Sequence, residues 1–164
     1  MDIRHIRLED AEQFANLLTS VDASNMMLFE PGERRTSIDQ EEKRIESILM
    51  QSNSTIMVAD DNGILAGYVA VHGGQGSRNR HSAHLVVGVR EQYRGQGIAT
   101  RMIKEVFRWA KEAGLDRLGL TVIKDNDRAL NLYKKLGFQT EGEKIHSLMI
   151  NGQPVNEYYL YILI

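Results

Sequence analysis

The residues with the clearest chemical meaning run Leu85-Val86-Val87-Gly88-Val89-Arg90-Glu91-Gln92-Tyr93-Arg94-Gly95-Gln96-Gly97-Ile98-Ala99-Thr100. An apolar, valine-rich run enters a turn with two glycines, and the turn opens an amphipathic helix. The first N–H groups of a helix have no intrahelical partner and lie at the positive end of its dipole. Such a turn suits a phosphate or pyrophosphate. Gly95 and Gly97 carry no Cβ, so backbone can approach a ligand closely there. Arg94 and Arg101 can add charge-assisted bonds. Residues 90–111 hold six basic residues against Glu91 and Glu105, a local +4 in a chain of net charge −2. That balance reads either as an anion site or as a solvated basic helix face.

Two common phosphate motifs do not fit. A P-loop requires Lys-Ser/Thr after its last glycine, but Ile98-Ala99 follows Gly97. The dinucleotide fingerprint needs a small residue where Thr100 stands and an acidic residue at the end of the next strand. Asp116 has the right separation but lies before that strand. Other chemistry is excluded by composition. The 164 residues include no cysteine, which removes a disulfide scaffold, a Cys-ligated zinc site and a thiol nucleophile. Any acyl transfer must proceed without a thiolate from the protein. No metal site is expected.

These residues need a scaffold, and the periodicity supplies one. Ile3–Leu8 alternates as a first strand. Ala11, Phe14, Ala15 and Leu18 mark a helix behind Asp10 as N-cap. Asn25–Ser37 is irregular around Pro31-Gly32. Asp39–Met50 reads as a second helix burying Ile45, Ile48 and Leu49. Strands are expected at Thr55–Ala59, Ile64–Val71 and His81–Val89, the first two joined by the turn cluster Asp60-Asp61-Asn62-Gly63. Ile98–Ala113 is a strong helix on Ile98, Met102, Val106, Trp109 and Ala113, with Gly114 as its C-cap. Arg117–Ile123 is a strand, and Ala129, Leu132, Tyr133 and Leu136 mark a short helix. Phe138–Ile150 and Val155–Ile164 form a hairpin about Asn151-Gly152. The order β α α β β β α β α β β is a mixed α/β plan, not the alternation of a doubly wound sheet.

At this point a family resemblance becomes specific. Gln92-Tyr93-Arg94-Gly95-Gln96-Gly97-Ile98-Ala99 resembles the acetyl-coenzyme A motif Gln/Arg-x-x-Gly-x-Gly/Ala of GNAT-type N-acetyltransferases. Asn126-Asp127-Arg128-Ala129-Leu130-Asn131-Leu132-Tyr133-Lys134-Lys135-Leu136-Gly137-Phe138 is similar to the family's Asn-x-x-Ala-x-x-Leu-Tyr-x-Lys-x-Gly-Phe helix. The two segments have the family's order and separation. Glu91 departs from the pattern, standing where many members have proline. The resemblance covers residues 1–164 as one N-acetyltransferase domain. It implies an α/β (α+β) fold: a mixed, mostly antiparallel twisted sheet of about seven strands, flanked by about four helices. It implies acetyl-CoA as acyl donor. Val87, Gly88 and Val89 would meet the pantetheine arm. Arg94, Gly95, Gln96, Gly97, Ile98, Ala99 and Thr100 would surround the pyrophosphate. Asn126 would bond the arm, and Tyr133 would protonate the leaving thiolate.

The expected reaction is direct attack of a primary amine on the thioester in a ternary complex, with proximity supplying much of the acceleration. The acceptor is a small molecule or a peptide N-terminus. A CoA-binding or sensing module without turnover is the alternative. Something must take the amine's proton, and His81, His84, His72 and Glu30 are the candidates. His81 and His84 have opposite parity, so a regular strand turns at most one into the cleft. The region Asn25–Asp39, with Glu30, Glu33, Asp39, Arg34 and Arg35, is expected to shape the acceptor site. Tyr158, Tyr159 and Tyr161 are open between core, acceptor wall and the surface of a homodimer. The near-neutral charge speaks against nucleic-acid binding. The apolar runs are shorter than the ~20 residues of a membrane helix. Met1–Arg7 is charged, without a leader-like apolar stretch, so a cytoplasmic protein is expected.

Overall fold

Two Asn-Gly pairs set much of the sheet. In Asn62-Gly63 and Asn151-Gly152 both residues have positive φ, the requirement of a type I′ hairpin. The first joins β2 (Thr55–Asp61) to β3 (Ile64–Gly73), and the second joins β6 (Gln139–Ile150) to β7 (Gln153–Leu163). With β1 (Asp2–His5), β4 (Ser82–Val89) and β5 (Arg117–Ile123) they form a seven-stranded sheet in the order β1-β2-β3-β4-β5-β7-β6. The computed structural model describes residues 1–24 and 26–164. Among them, β4–β5 is the one parallel pair.

Helices cover both faces. Helices α1 (Ala11–Asp22) and α2 (Ile38–Leu49) close one side over Phe14, Leu17, Leu18, Ile45, Ile56, Val58 and Tyr68. Helix α3 (Ile98–Glu112), with α4 (Asp127–Lys135), closes the other over Val69, Leu85, Met102, Val106, Leu118, Tyr133 and Leu160. Successive strand residues point to opposite faces. On β4, Ala83 and Leu85 therefore join the α3 side, whereas Val86 joins the α1 side. Among the described residues no helix is long and apolar enough to cross a membrane.

The expected elements are all present, with shifted edges. The first strand ends at His5, because Leu8–Asp10 forms a single 3-10 turn before α1. Asp10 does not cap α1 with its side chain. Its carboxylate accepts from the Arg7 N–H at 2.7 Å and from Arg4 at 2.8 and 2.9 Å. Helix α2 starts one residue earlier than expected, at Ile38, behind a Ser37–Gln40 capping box. It buries Glu41 in place of Leu49, which is 43% exposed. Glu41 accepts from Thr36 Oγ1 at 2.8 Å and pairs with Arg44. Helix α3 buries Ile103 and Ala110, while Trp109 is half-buried and Ala113 lies on the cap. Tyr158 packs against the α3-side cluster, whereas Tyr161 lies under Arg117 on the opposite face, 5.2 Å from its guanidinium.

Candidate active site

The site follows from a defect in the sheet. β4 and β5 pair only from Ser82–His84 to Arg117–Gly119. Beyond that, β4 stays with β3 as far as Val89, and β5 stays with β7 as far as Ile123. The two strands part, and a cavity of about 610 Å³ fills the gap.

Register decides which backbone groups face it. Arg90 N–H donates to Ala66 O at 2.9 Å, and Gly74 N–H donates to Ser82 O at 2.8 Å. In an antiparallel pair, residues that bond the neighbour alternate with residues that point away. Even-numbered residues of β4 therefore bond β3, while Val87 and Val89, beyond the pairing with β5, turn their N–H and C=O groups into the gap. Lys124 N–H donates to Asn156 O at 2.9 Å, and Ile164 N–H to Asp116 O at 2.9 Å. By the same rule Thr121 and Ile123 face the gap from β5. Gly88 bonds toward β3, and its lack of a side chain serves packing. A Cβ there would lie 2.7 Å from both Tyr68 and Val21, so glycine lets α1 close on the sheet.

The α3 end of the cavity is a donor cradle. Gly95 and Gly97 both adopt left-handed φ, 75° and 76°, a region that costs other L-residues roughly 1–2 kcal/mol. Gly97 caps α3, and the first helical bond runs from Arg101 N–H to Gly97 O at 3.1 Å. The N–H groups between are left for a ligand. A Cβ on Gly97 would meet no protein atom within 4 Å, so backbone geometry, rather than crowding within the chain, calls for glycine there. Arg94, Gly95, Gly97, Ile98, Ala99 and Thr100 all line the cavity. Arg94 Nε donates to Val89 O at 3.3 Å, which holds its guanidinium beside the strand end. Gln96 is exposed and bonds Gln92 O through its side chain, outside the lining. Arg101 reaches Met1 O instead of the cavity. Arg128, which the sequence reading passed over, lines the cradle with its guanidinium close to Gly95.

Helix α4 brings two further residues. Asn126 accepts from the Ala129 N–H at 3.3 Å as N-cap, which leaves its amide NH₂ for a ligand. Tyr133 lines the cavity but is only 7% exposed, more buried than its helical phase suggested. Its ring packs edge-on to Phe138, with centroids 5.6 Å apart. Burial pushes the phenol well above its ordinary pKa, so it is held in the protonated form that can give a proton.

The α1/α2 side of the cavity is built from distant residues. Asp22, at the end of α1 and 1% exposed, accepts from Arg34 Nε at 2.8 Å and Nη2 at 2.7 Å. Arg34 also lies 4.9 Å from the Phe29 ring. Tyr68, His84, Thr121, Leu148 and Glu157 complete that side. Of the four candidate bases, only His84 lines the cavity. His72 pairs across from it on β3. His81 precedes β4, its carbonyl accepting from Asp116 and Arg117. Glu30 is exposed in the loop. The surrounding protein, more than any charge, lowers the His84 pKa below that of a free histidine, and Glu157 works in the opposite direction. Glu157 and Asp22 escaped the sequence reading. A lone acid within the apolar and aromatic β7, opposite in parity to Leu160, was the available signal for Glu157. The irregular stretch does roof this side through residues 26–29 and Arg34, and Asn25 lies outside the described residues. Among the described residues no group of three or more His, Cys, Asp or Glu could hold a metal ion.

Comparison with known proteins agrees with this architecture. Residues 20–138 match the model of the acetyltransferase (GNAT) family. An L-amino acid N-acetyltransferase of Escherichia coli (strain K12) is 31% identical over 108 residues, 63% of this chain and 65% of that protein. The match thus spans just under two thirds of that relative's length. The crystal structure of an acetyltransferase of the GNAT family from Streptococcus pneumoniae superposes with a TM-score of 0.95 at 27% identity, covering 99% of each chain. A GNAT superfamily phosphinothricin acetyltransferase from Sinorhizobium meliloti, solved in complex with AcCoA, has the same fold. Its TM-score is 0.87 at 15% identity, over 99% of this chain and 88% of that one. A sheet opened between β4 and β5, a glycine cradle at its edge and a family match over most of the sequence lead to one conclusion: the chain is a member of the GNAT acetyltransferase family.

Proposed function

We propose that residues 1–164 act as one N-acetyltransferase domain, moving the acetyl group of acetyl-CoA directly to a primary amine in a ternary complex. The observation that carries this reading is the cavity itself. It runs through the gap in the sheet, with an anion cradle on the α3 side and a partly acidic pocket on the α1/α2 side. Two reactants can therefore enter from opposite faces and meet at the free edge of β4. Small amines suit the acceptor pocket, which is lined by apolar side chains and Glu157.

The residues present fit acetyl-CoA. Val87 and Val89 offer backbone groups to an amide-bearing arm, and the Asn126 amide offers two N–H donors. The N–H groups around Gly97, with Arg94 and Arg128, hold a pyrophosphate. When bound, the donor supplies an activated acetyl group on a thiol leaving group. The chain's own contribution is to align the two reactants and to keep the thioester oxygen near backbone donors of β4. Tyr133 holds a proton at its phenol for the departing sulfur. No acyl-enzyme on cysteine is available, because the chain has none.

The test is a screen for release of the CoA thiol with polyamines, amino acids, aminoglycosides and N-terminal peptides, beside acetyl-CoA binding by calorimetry. Amine-dependent thiol release is expected. Tight acetyl-CoA binding without release from any amine would instead make the chain a binding or sensing module.

A further inference from the structure

The acceptor side of the cavity has an uncompensated charge. Two of its charged side chains, Asp22 and Arg34, cancel in a two-bond pair. Arg94 and Arg128 belong to the cradle on the other side of the gap. That leaves Glu157. Among the described residues it forms no ion pair, although Lys144 stands opposite it on β6. Its one side-chain bond among them is donated by Ser147 Oγ to Oε1, so Oε2 is left for the cavity that Glu157 lines.

Parity places it correctly. Leu160 of β7 is buried in the α3-side cluster, with Tyr158 packed against it. Glu157 therefore projects from the α1/α2 face, as do Thr121 of β5 and His84 of β4. Other titratable or charged groups on this face include Lys144 opposite Glu157 on β6, Arg117 with Tyr161, His72 beside His84, Tyr68, Arg44 acting on both His72 and Tyr68, and the Asp22–Arg34 pair. Around them the wall is apolar, formed by Met26, Met27, Leu28, Phe29 and Leu148.

Given acetyl transfer to an amine, we propose that Glu157 receives the acceptor's ammonium group and takes its proton, and that the acceptor is an amine without a free carboxylate. A primary amine arrives largely as its ammonium ion at neutral pH. Glu157 Oε2 accepts one proton, giving the neutral amine, and passes it through His84 or water to solvent. The nitrogen lone pair bonds to the acetyl carbon as the carbon–sulfur bond breaks. The nitrogen then sheds its second proton to water. The departing sulfur takes the Tyr133 phenol proton, which Tyr133 regains from solvent. The products are amide, thiol and one released proton. A free carboxylate would face Glu157 with no uncommitted cation among the described residues that line that side of the cavity, whereas an amide or an alkyl chain meets apolar wall.

The experiment compares leucinamide with leucine, and the wild type with Glu157→Gln and Ser147→Ala. The side-chain amide oxygen that Glu157→Gln introduces would still accept the Ser147 bond, so the fold is kept. Leucinamide should exceed leucine at least tenfold in kcat/KM. Glu157→Gln should lower kcat/KM for leucinamide about 100-fold at pH 7, with acetyl-CoA affinity unchanged. The deficit should shrink below tenfold at pH 9, where the amine, with a pKa of about 8, is already neutral. Ser147→Ala keeps the carboxylate and should lose less than tenfold. A preference for leucine, an unimpaired Glu157→Gln, a deficit that does not change with pH, or equal losses in the two variants would each overturn the proposal. A wild type that turns over no amine would overturn acetyl transfer itself, and this assignment with it.

Discussion

The two faces of the sheet contribute to the same cavity by different means. On the α3 side, consecutive residues do the work. Arg94, Gly95, Gly97, Ile98, Ala99 and Thr100 follow one another through a turn and a first helical turn, and the ligands they offer are mainly backbone groups. On the α1/α2 side, the lining comes from scattered positions: Asp22, Phe29, Arg34, Tyr68, His84, Thr121, Leu148 and Glu157. Their contributions are side chains. A backbone site is fixed by local conformation and suits a donor common to a whole family. A side-chain site is fixed by tertiary packing and can change one residue at a time, which suits an acceptor particular to one enzyme.

If that division holds, variants on the two sides should separate cleanly in what they disturb. The largest effect is expected at Tyr133, where the sides meet. Tyr133→Phe keeps the ring against Phe138 but removes the proton donor. Turnover should fall roughly 100-fold or more, the typical worth of a positioned general acid, while acetyl-CoA affinity stays within about twofold. Unchanged turnover would remove the phenol from the reaction. Next is Asp22→Ala, which strips Arg34 of its partner in a place that is nearly dry. Breaking such a buried pair costs about 3 kcal/mol, and chemical denaturation would read it. The amine KM should rise while acetyl-CoA affinity holds. A parallel loss of acetyl-CoA affinity would show that the two sides are not independent.

The converse variant is Gly97→Ala. Its φ of 76° makes a side chain cost about 1–2 kcal/mol, and relief of that strain would turn the cradle N–H groups away. Acetyl-CoA should bind about tenfold more weakly, with little change in amine KM. Full affinity in the alanine variant would mean that the turn tolerates a Cβ and that the glycine is dispensable for binding.

The same contrast explains what the sequence made legible. The cradle and α4 are contiguous, so Gly95, Gly97 and Asn126 could be read as a turn and a cap. The Asn-Gly hairpins, β5 and the start of α3 were equally plain, because each rests on local conformation. The parting of β4 from β5 has no local signal, since both strands remain apolar past Gly119 and His84. Nor did the spacing foretell that Asp10 would serve Arg4 and Arg7 rather than α1, or that Glu41 would be buried. Each depends on a partner that folding brings up. Parity was not what separated His81 from His84: His81 falls before β4, and His84 lines the cavity. Only the fold set Glu157 on its side.

The smallest effect expected concerns the histidine pair at the edge of the acceptor side. His72 and His84 face each other across β3 and β4. Both are held below the ordinary histidine pKa, chiefly by burial. Arg44 and His84 add to the effect at His72, whereas Glu157 opposes it at His84. In the unfolded chain they titrate near 6.5. As pH falls through that value the unfolded state takes up protons before the folded state does, so stability must fall with it and level off only below the folded pKa. Above about pH 7 neither form is charged and the contribution is constant. Asp10 is also depressed in the fold, under Arg4 and the Arg7 N–H, but a carboxylate acts near pH 4 and below. The interval from pH 7 to 5 therefore isolates the histidines. Thermal unfolding should show Tm dropping by a few degrees across it, and His72→Gln with His84→Gln should flatten the slope. A slope unchanged in the double variant would place the pH sensitivity elsewhere and leave His84 free of the desolvation that makes it a neutral proton acceptor.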